Sequence, residues 1–303
     1  MRIVSLAQGA QTQLGVVASD GVVLVNSRLV PDSDLRAVLA DPDGLARIAD
    51  ATAGRAPELP LADARLRPFL PRPNAIWALA LNFRSHVDET GLQTSREYPH
   101  LFLRTAASFV GAGEPLRCPP PHIARAFDYE GELAVVIGRP GRYIPSERAL
   151  EHVAGYTCMN EGSVREYQVH NRQFGLGKNF EGSGSYGPWL LTADAFGDPA
   201  QHTLLTRVNG QVRQRAPLSE MKFSVAEVIS YLSQGYVLRP GDIIAMGTPG
   251  ALPPAPDDDE GRNLSRQYGP FKVPGLVHMR PGDFVEVEID ELGALGNPVV
   301  QDG

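Results

Sequence analysis

Asp128-Tyr129-Glu130-Gly131-Glu132-Leu133-Ala134-Val135-Val136-Ile137-Gly138 is the stretch whose reading decides the fold. Its second half is an unbroken apolar run, the pattern of a strand covered on both faces. Its first half alternates acids with other residues, so on a single strand Asp128, Glu130 and Glu132 share one face. A solvent-facing sheet edge would give the same spacing. Three like charges on one face repel, however, and here they run into a buried segment, where carboxylates call for a cation. Oxygen ligands with no Cys or His among them favour Mg²⁺, Mn²⁺ or Ca²⁺ over zinc.

Outward from this strand the chain is turn-rich. It holds 31 Gly and 26 Pro in 303 residues, which points to a β-rich chain rather than a helical bundle. Two segments share a lead-in, Leu238-Arg239-Pro240-Gly241-Asp242 and Met279-Arg280-Pro281-Gly282-Asp283, each followed by an apolar run. Pro-Gly supplies the central pair of a tight turn, so both predict a turn feeding a strand. Residues 3–7 and 15–26 read as a small β-meander. Leu35, Val38, Leu39, Leu45 and Ile48 recur at helical spacing over 34–50, one or two short helices. Residues 51–73, rich in Pro, Ala and Arg, read as a linker, and further helices are expected at 84–90, 146–152 and 218–234. The expectation is a mixed α+β chain, predominantly β, with a small N-terminal α/β domain over 1–70 and a catalytic domain over 71–303.

Composition removes several classes of function. The net charge is −7 and no Lys/Arg run stands out, so no nucleic-acid partner is expected. No stretch approaches 18 uninterrupted apolar residues and the N-terminus shows no long apolar run, so a cytoplasmic protein with no membrane partner is expected. Cys118 and Cys158 are too few for a disulfide framework or a thiolate zinc site. Gly182 to Gly187 spells GxGxxG, but Pro188-Trp189 follows where a helix is needed. Gly177-Lys178 lacks the rest of a phosphate loop, and neither GxSxG nor HExxH occurs. The acidic run from Pro253 to Glu260 reads as a solvated loop, with calcium binding as the alternative.

Four other places carry chemistry. Gly155 to Glu161 is strand-like and ends in an acid, which could supply a third oxygen ligand. Lys178 sits amid glycines, where its ammonium could meet a bound anion; a surface charge is the plainer reading. Gly247-Thr248-Pro249-Gly250 is a turn whose N–H groups and hydroxyl could hold a carboxylate. His86 and Glu89, three apart on a helix, can hydrogen-bond and make a general base for water.

Taken in order, these segments resemble the fumarylacetoacetate hydrolase superfamily, from about residue 74 to 300. The matching pieces are Asn82–Glu89, Asp128–Gly138, Gly155–Gln168, Gly177–Glu181, Gly187–Trp189, Val208–Gly210, Leu238–Asp242 with Gly247–Pro249, and Gly282–Ile289 with Gly293 and Asn297-Pro298. The resemblance implies a β-sandwich roll, a homodimer, and a divalent metal, Mg²⁺ or Mn²⁺ with Ca²⁺ as a further candidate, held by three carboxylates. Carried over by position, the metal ligands are Glu130, Glu132 and Glu161. The family usually has Asp where Glu161 stands, and the same drift occurs at Glu166 and Glu181. One extra methylene lengthens the arm by about 1.5 Å, against a Mg–O distance of about 2.0–2.1 Å.

The implied substrate is a small 2-oxo or diketo acid. Lys178 would add positive potential at the developing oxyanion, His86 with Glu89 would activate water, and Arg165, Gln168 and Thr248 would position the substrate. The leading expectation is a metal-dependent hydrolase cleaving a C–C bond in an acylpyruvate- or fumarylpyruvate-like diketo acid, as in aromatic catabolism. The alternatives are an oxaloacetate-type decarboxylase or 2-hydroxymuconate-type isomerase on the same site, and an inactive relative that binds metal weakly. Residues 91–101 and 251–277 are expected at the rim of the site.

Overall fold

The computed structural model describes residues 1–8, 11–26, 30, 34–90, 97–171, 173–252 and 277–303. Strands in the first part are β1 (Arg2–Gln8), β2 (Gln11–Ala18), β3 (Gly21–Leu24), β4 (Leu59–Pro60), β5 (Leu66–Arg67), β6 (Ile76–Ala80) and β7 (His100–Arg104). There follow β8 (Phe109–Val110), β9 (Leu116–Cys118), β10 (Phe127–Asp128), β11 (Gly131–Ile137), β12 (Val153–Asn160) and β13 (Ser163–Val164). The last are β14 (Gly184–Thr192), β15 (Thr203–Val208), β16 (Gln211–Pro217), β17 (Ile243–Ala245), β18 (Phe284–Ile289) and β19 (Gly293–Gln301). The α-helices are α1 (Leu35–Ala40), α2 (Gly44–Thr52), α3 (Arg84–Thr90), α4 (Arg165–Gln168), α5 (Ala193–Phe196) and α6 (Val225–Gly235). The chain is mixed α+β and predominantly β, as its composition predicts.

Two sheets face each other. The larger runs β4-β3-β2-β1-β14-β12-β11-β17-β6-β7, with β5 beside β1 and β8 beside β14. The smaller runs β16-β15-β18-β19-β9, and β10 pairs with β13 separately. The apolar run of β11 lies between β12 and β17, antiparallel to both, and all seven of its residues are buried. Alternation sends Leu133, Val135 and Ile137 into a core shared with Leu204 of β15, Val287 of β18 and Ile229 of α6. Ala134 and Val136 enter a second core with Ile3, Leu14, Val38 and Ile48. Burying each large aliphatic contributes about 1.5–3 kcal/mol, so this strand anchors both layers.

The local signals account for the flanking elements. Ser224 and Glu227 form a reciprocal capping box that starts α6, and Val225, Val228, Ile229 and Leu232 line its buried face. That start falls later than the predicted 218, because Leu218–Glu220 is a separate 3₁₀ turn. The two Pro-Gly turns are built alike. Gly241 and Gly282 adopt positive φ, and Asp242 and Asp283 each accept the backbone N–H three residues back, of Arg239 and Arg280, at 2.7 Å. The first three strands are the meander expected, and β1 joins the large sheet by pairing Arg2 with Leu191 and Ile3 with Leu190.

Two expectations need correction. Residues 51–73 contain β4 and β5, which pair with β3 and β1, so the stretch is not a plain linker. The deciding stretch is also not one strand. β10 pairs with β13, Tyr129 and Glu130 leave the ladder, and β11 begins at Gly131. The break follows from competing side-chain acceptors: Asp128 Oδ1 takes the Tyr129 N–H at 2.8 Å and Asn160 Oδ1 takes that of Glu130 at 3.0 Å. The acidic run from Pro253, most of the 251–277 rim and residues 91–96 lie outside the described residues. Among the described residues, no helix is long and apolar enough to cross a membrane.

Candidate active site

At the start of β11 the chain gathers acids. Glu130 and Glu132 flank Gly131, whose absent Cβ would meet the Thr206 hydroxyl at 2.1 Å, so only glycine lets the small sheet approach there. Glu161 arrives through the hairpin register: Gly131 pairs with Asn160, and the Glu161 N–H donates to the Glu130 carbonyl at 2.8 Å. The three carboxylates each offer one oxygen, and these lie within 4.8 Å of one another. None is more than 4% exposed.

Their oxygens are not all satisfied. Glu132 Oε2 accepts the Gly247 N–H at 2.8 Å, and Glu161 Oε2 faces Lys178 Nζ at 2.6 Å. Oε1 of Glu132 is buried and accepts no hydrogen bond, and Oε1 of Glu161, buried likewise, faces the Arg104 guanidinium at 3.5 Å. Burial, reinforced by Glu161 and Glu130, holds the Glu132 carboxyl well above the ordinary carboxylate range. Burial raises Glu161 as well, against the pull of Lys178 and Arg104. Burial also works against a charge on Glu130, but Arg165, Lys178 and His86 outweigh it and hold that group low. Buried anionic oxygens without donors are costly unless a cation is present. The set therefore fits a hard divalent ion bound by Glu130, Glu132 and Glu161, the longer Glu161 arm included.

Cations ring the acids. Lys178 follows Gly177, whose Cβ would meet the Gln168 backbone N at 2.2 Å; the glycine lets this turn lie against α4. Its ammonium is 3% exposed, 2.5 Å from Glu130 and 2.6 Å from Glu161, so the surface reading of Lys178 does not hold. Arg165 opens α4, buried 2.6 Å from Asp128 and 2.5 Å from Glu130, and it donates to Gln168 Oε1 at 2.6 Å. One Arg165 nitrogen thereby bridges Asp128 and Glu130, and the acids that converge are Glu130, Glu132 and Glu161, without Asp128. Arg104, on the buried face of β7, stands 3.5 Å from Glu161 and over the Phe109 ring.

A cavity of about 460 Å³ opens above the acids, lined by all three glutamates, Lys178, His86, Gln168 and Thr248. His86 is buried on α3, its Nδ1 2.5 Å from Glu89 Oε1, while Glu89 Oε2 accepts the Ala251 N–H at 2.8 Å. A carboxylate can only accept, so Nδ1 carries the hydrogen there and Nε2 is left to take or give a proton. Thr248 Oγ1 accepts from Gln214, whose Oε1 takes the Gly131 N–H at 3.0 Å. Of the nine site residues read from the sequence, seven line the cavity, and Glu89 and Arg165 stand behind it. Glu166 instead caps the Arg125 and Ala126 N–H groups, and Glu181 is exposed beside Arg117.

Sequence reasoning missed Arg104, Gln214 and Asn82. Asn82 clamps Phe223 N–H at 2.9 Å and donates to the Met246 carbonyl at 2.8 Å, tying α3 to the turn that carries Thr248. For Arg104 a signal existed: it stands two residues after Phe102, in phase with the buried face of its strand. Gln214 and Asn82 are single polar residues with no spacing to betray them.

Comparison with known proteins identifies the family. The oxaloacetate tautomerase YisK of Bacillus subtilis is 34% identical over 241 residues, 79% of this chain and 74% of that one. A mitochondrial oxaloacetate tautomerase of Bos taurus is 34% identical over 252 residues, 82% of this chain and 74% of that one. Among solved structures, maleylpyruvate hydrolase of Sphingobium sp. SYK-6 with manganese(II) and pyruvate superposes over the full length of both chains, with a TM-score of 0.79 and 27% identity. A 5-carboxymethyl-2-hydroxymuconate delta-isomerase of Mycobacterium smegmatis does so at 0.73 and 29%. The family described as fumarylacetoacetate (FAA) hydrolase C-terminal matches residues 75–300, which takes in every acid, cation and histidine described above. By sequence and by fold alike, the chain belongs to the fumarylacetoacetate hydrolase family of enzymes.

Proposed function

We propose that this chain is a divalent-metal-dependent enzyme that works on the enol form of a small 2-oxo acid, interconverting enol and ketone. The observation that carries this reading is the meeting, in one cavity, of the three buried glutamates with the donor-less Glu132 oxygen, the Lys178 ammonium and His86, which Glu89 holds from behind. Glu130, Glu132 and Glu161 would hold a divalent cation, which would supply Lewis-acid polarisation of a carbonyl. Lys178 brings a buried positive charge to the side of the 2-oxo oxygen, where negative charge grows in the enolate. His86, oriented by Glu89, gives a proton to C3 from Nε2 or takes one back. Thr248 and Gln168 line the wall against which the substrate carboxylate would rest. The similarity to oxaloacetate tautomerases makes oxaloacetate the first substrate to try.

The hydrolase reading, the leading expectation from the sequence, comes second here. Its support is the same His86–Glu89 pair, which could activate a water, and the likeness to a maleylpyruvate hydrolase. The enol absorbance of oxaloacetate and of an acylpyruvate, followed with Mg²⁺ or Mn²⁺ and with EDTA, separates the two. Accelerated, EDTA-sensitive ketonisation of oxaloacetate with no cleavage of the acylpyruvate is expected. Cleavage of the acylpyruvate with release of pyruvate would make the chain a hydrolase, and no effect on either substrate would refute both readings.

A further inference from the structure

One buried polar side chain reaches the candidate site from the small sheet. Gln214 lies on β16, whose ladder with β15 slips by one residue: Thr206 pairs with Gln214, but Arg207 pairs with Val212. Such a bulge breaks the alternation of faces, and Arg213 and Gln214 are buried in succession. A bridge from Gln214 to Ala251 then holds this strand against the end of the turn that carries Thr248.

The polarity of the Gln214 amide is decided by its backbone partners. Oε1 takes the Gly131 N–H at 3.0 Å, and a backbone N–H only donates. Nε2 donates to the Pro249 carbonyl at 2.7 Å, and a carbonyl only accepts. Turning the amide round would lose both bonds. Nε2 also donates to Thr248 Oγ1 at 2.8 Å, so the hydroxyl is an acceptor on that side and its own hydrogen has to point elsewhere. Thr248 lines the cavity, and among the described residues its hydroxyl has no other hydrogen-bond partner.

Gln168, also on the cavity wall, is set in the same way. Arg165 donates to its Oε1 at 2.6 Å, so Nε2 is the end left to donate. Two donors whose polarity is imposed from behind suit a group that only accepts, a carboxylate. A hydroxyl hydrogen already aimed at that group costs nothing to order when the ligand binds, whereas one that rotates has to be fixed at that moment.

We propose that Gln214 is a positioning residue that makes the Thr248 hydroxyl a fixed donor to the carboxylate of the bound 2-oxo acid. This deepens the 2-oxo acid reading above and rests on it. The test is a double-mutant cycle on the full-length, Mg²⁺-saturated protein: calorimetric titration with pyruvate of the wild type, Gln214→Glu, Thr248→Val and the double variant. Glutamate keeps the shape and the Gly131 bond but sets an acceptor opposite Oγ1, so the Thr248 hydrogen turns away from the cavity. Gln214→Glu should weaken pyruvate binding roughly 10- to 100-fold more beside Thr248 than in the Thr248→Val background, the worth of one hydrogen bond to a charged group. In that background only the added charge acts, and the cycle subtracts it. Gln214→Met carries the same test with no buried charge, and it should weaken binding beside Thr248 and leave the Thr248→Val background unchanged. Thr248→Ser, which keeps a hydroxyl, should restore the dependence on Gln214. Equal losses in both backgrounds, or no loss in either, overturn the proposal and leave the 2-oxo acid reading standing. Failure of the loaded wild type to bind pyruvate overturns that reading, and the proposal with it.

Discussion

Replacing Glu132 with Gln tests whether the buried acids are there for a cation. The side chain is 1% exposed, with one oxygen on the Gly247 N–H and the other without a donor. Its neighbours' ligand oxygens lie within 4.8 Å, and at an effective dielectric near 20 each pair of charges that close repels by about 3.5 kcal/mol. Glutamine keeps the Gly247 bond, adds a donor toward Glu161 and removes both the repulsion and the proton uptake by which the metal-free wild type relieves it. The metal-free variant should therefore melt at or above the wild-type temperature, where the loss of an ordinary buried hydrogen-bonded carboxylate would lower it. With metal at 100 times its dissociation constant the wild type gains about 2.7 kcal/mol, a rise of roughly 5–10 °C at about 2–4 °C per kcal/mol. The variant, short of one anionic ligand, should lose most of that rise at the same metal concentration. Scanning calorimetry with EDTA and with Mg²⁺ or Mn²⁺ measures both quantities. A metal-free variant several degrees less stable than wild type, or a full metal-induced rise in the variant, refutes the reasoning.

Four further outcomes are expected. Glu132 and Glu161 are held above the ordinary carboxylate range, so a cation must displace their protons. Metal affinity then rises with pH until both are ionised and falls on acidification, and titration heats that do not vary with the buffer's ionisation enthalpy would contradict this. The metal-free protein shows the opposite slope, losing stability as pH rises above the ordinary carboxylate range, because its folded state binds the extra protons. His86→Ala should lower turnover by about 10²- to 10⁴-fold while leaving Mn²⁺ affinity at the wild-type value, since the imidazole moves protons and is no ligand; a parallel loss of metal binding would assign it otherwise. Burial pushes the Cys118 thiol up to about 11 and the Cys158 thiol higher still. A thiol reagent at mildly alkaline pH should label neither in the native protein and both in denaturant, and rapid native labelling would count against the packing described.

The parts legible in the sequence are those where a local pattern and the tertiary outcome agree. The apolar run 132–138 reads as a buried strand because it packs on both faces, and Glu130 and Glu132 read as a pair because period-two spacing survives the break at Tyr129. The two Pro-Gly-Asp turns are local devices and stand where expected, while the capping box at Ser224 starts its helix later than the predicted 218. Glu161 is different in kind. Its own segment marks it only as an acid ending a strand-like run, and its approach to the other two comes from the register that pairs Gly131 with Asn160. Lys178 likewise reads as a surface charge until the fold places it between Glu130 and Glu161. Asp128 alternates in phase with the other acids, yet Arg165 claims it, a pairing across 37 residues that no spacing encodes. The short strands β4 and β5 escape notice because two residues, one of them a proline in β4, carry too little pattern to read.

Every chemistry considered for this site, whether tautomerisation, cleavage or decarboxylation, passes through an enolate of a 2-oxo acid at the Glu130–Glu132–Glu161 set. The most direct measurement is therefore deuterium exchange into the C3 position of pyruvate in D₂O, followed by proton NMR with diamagnetic Mg²⁺. Exchange that depends on the protein, stops with EDTA and falls sharply in His86→Ala is the predicted result. Exchange no faster than in the protein-free solution, or unaffected by EDTA, would contradict a metal-dependent enolate site.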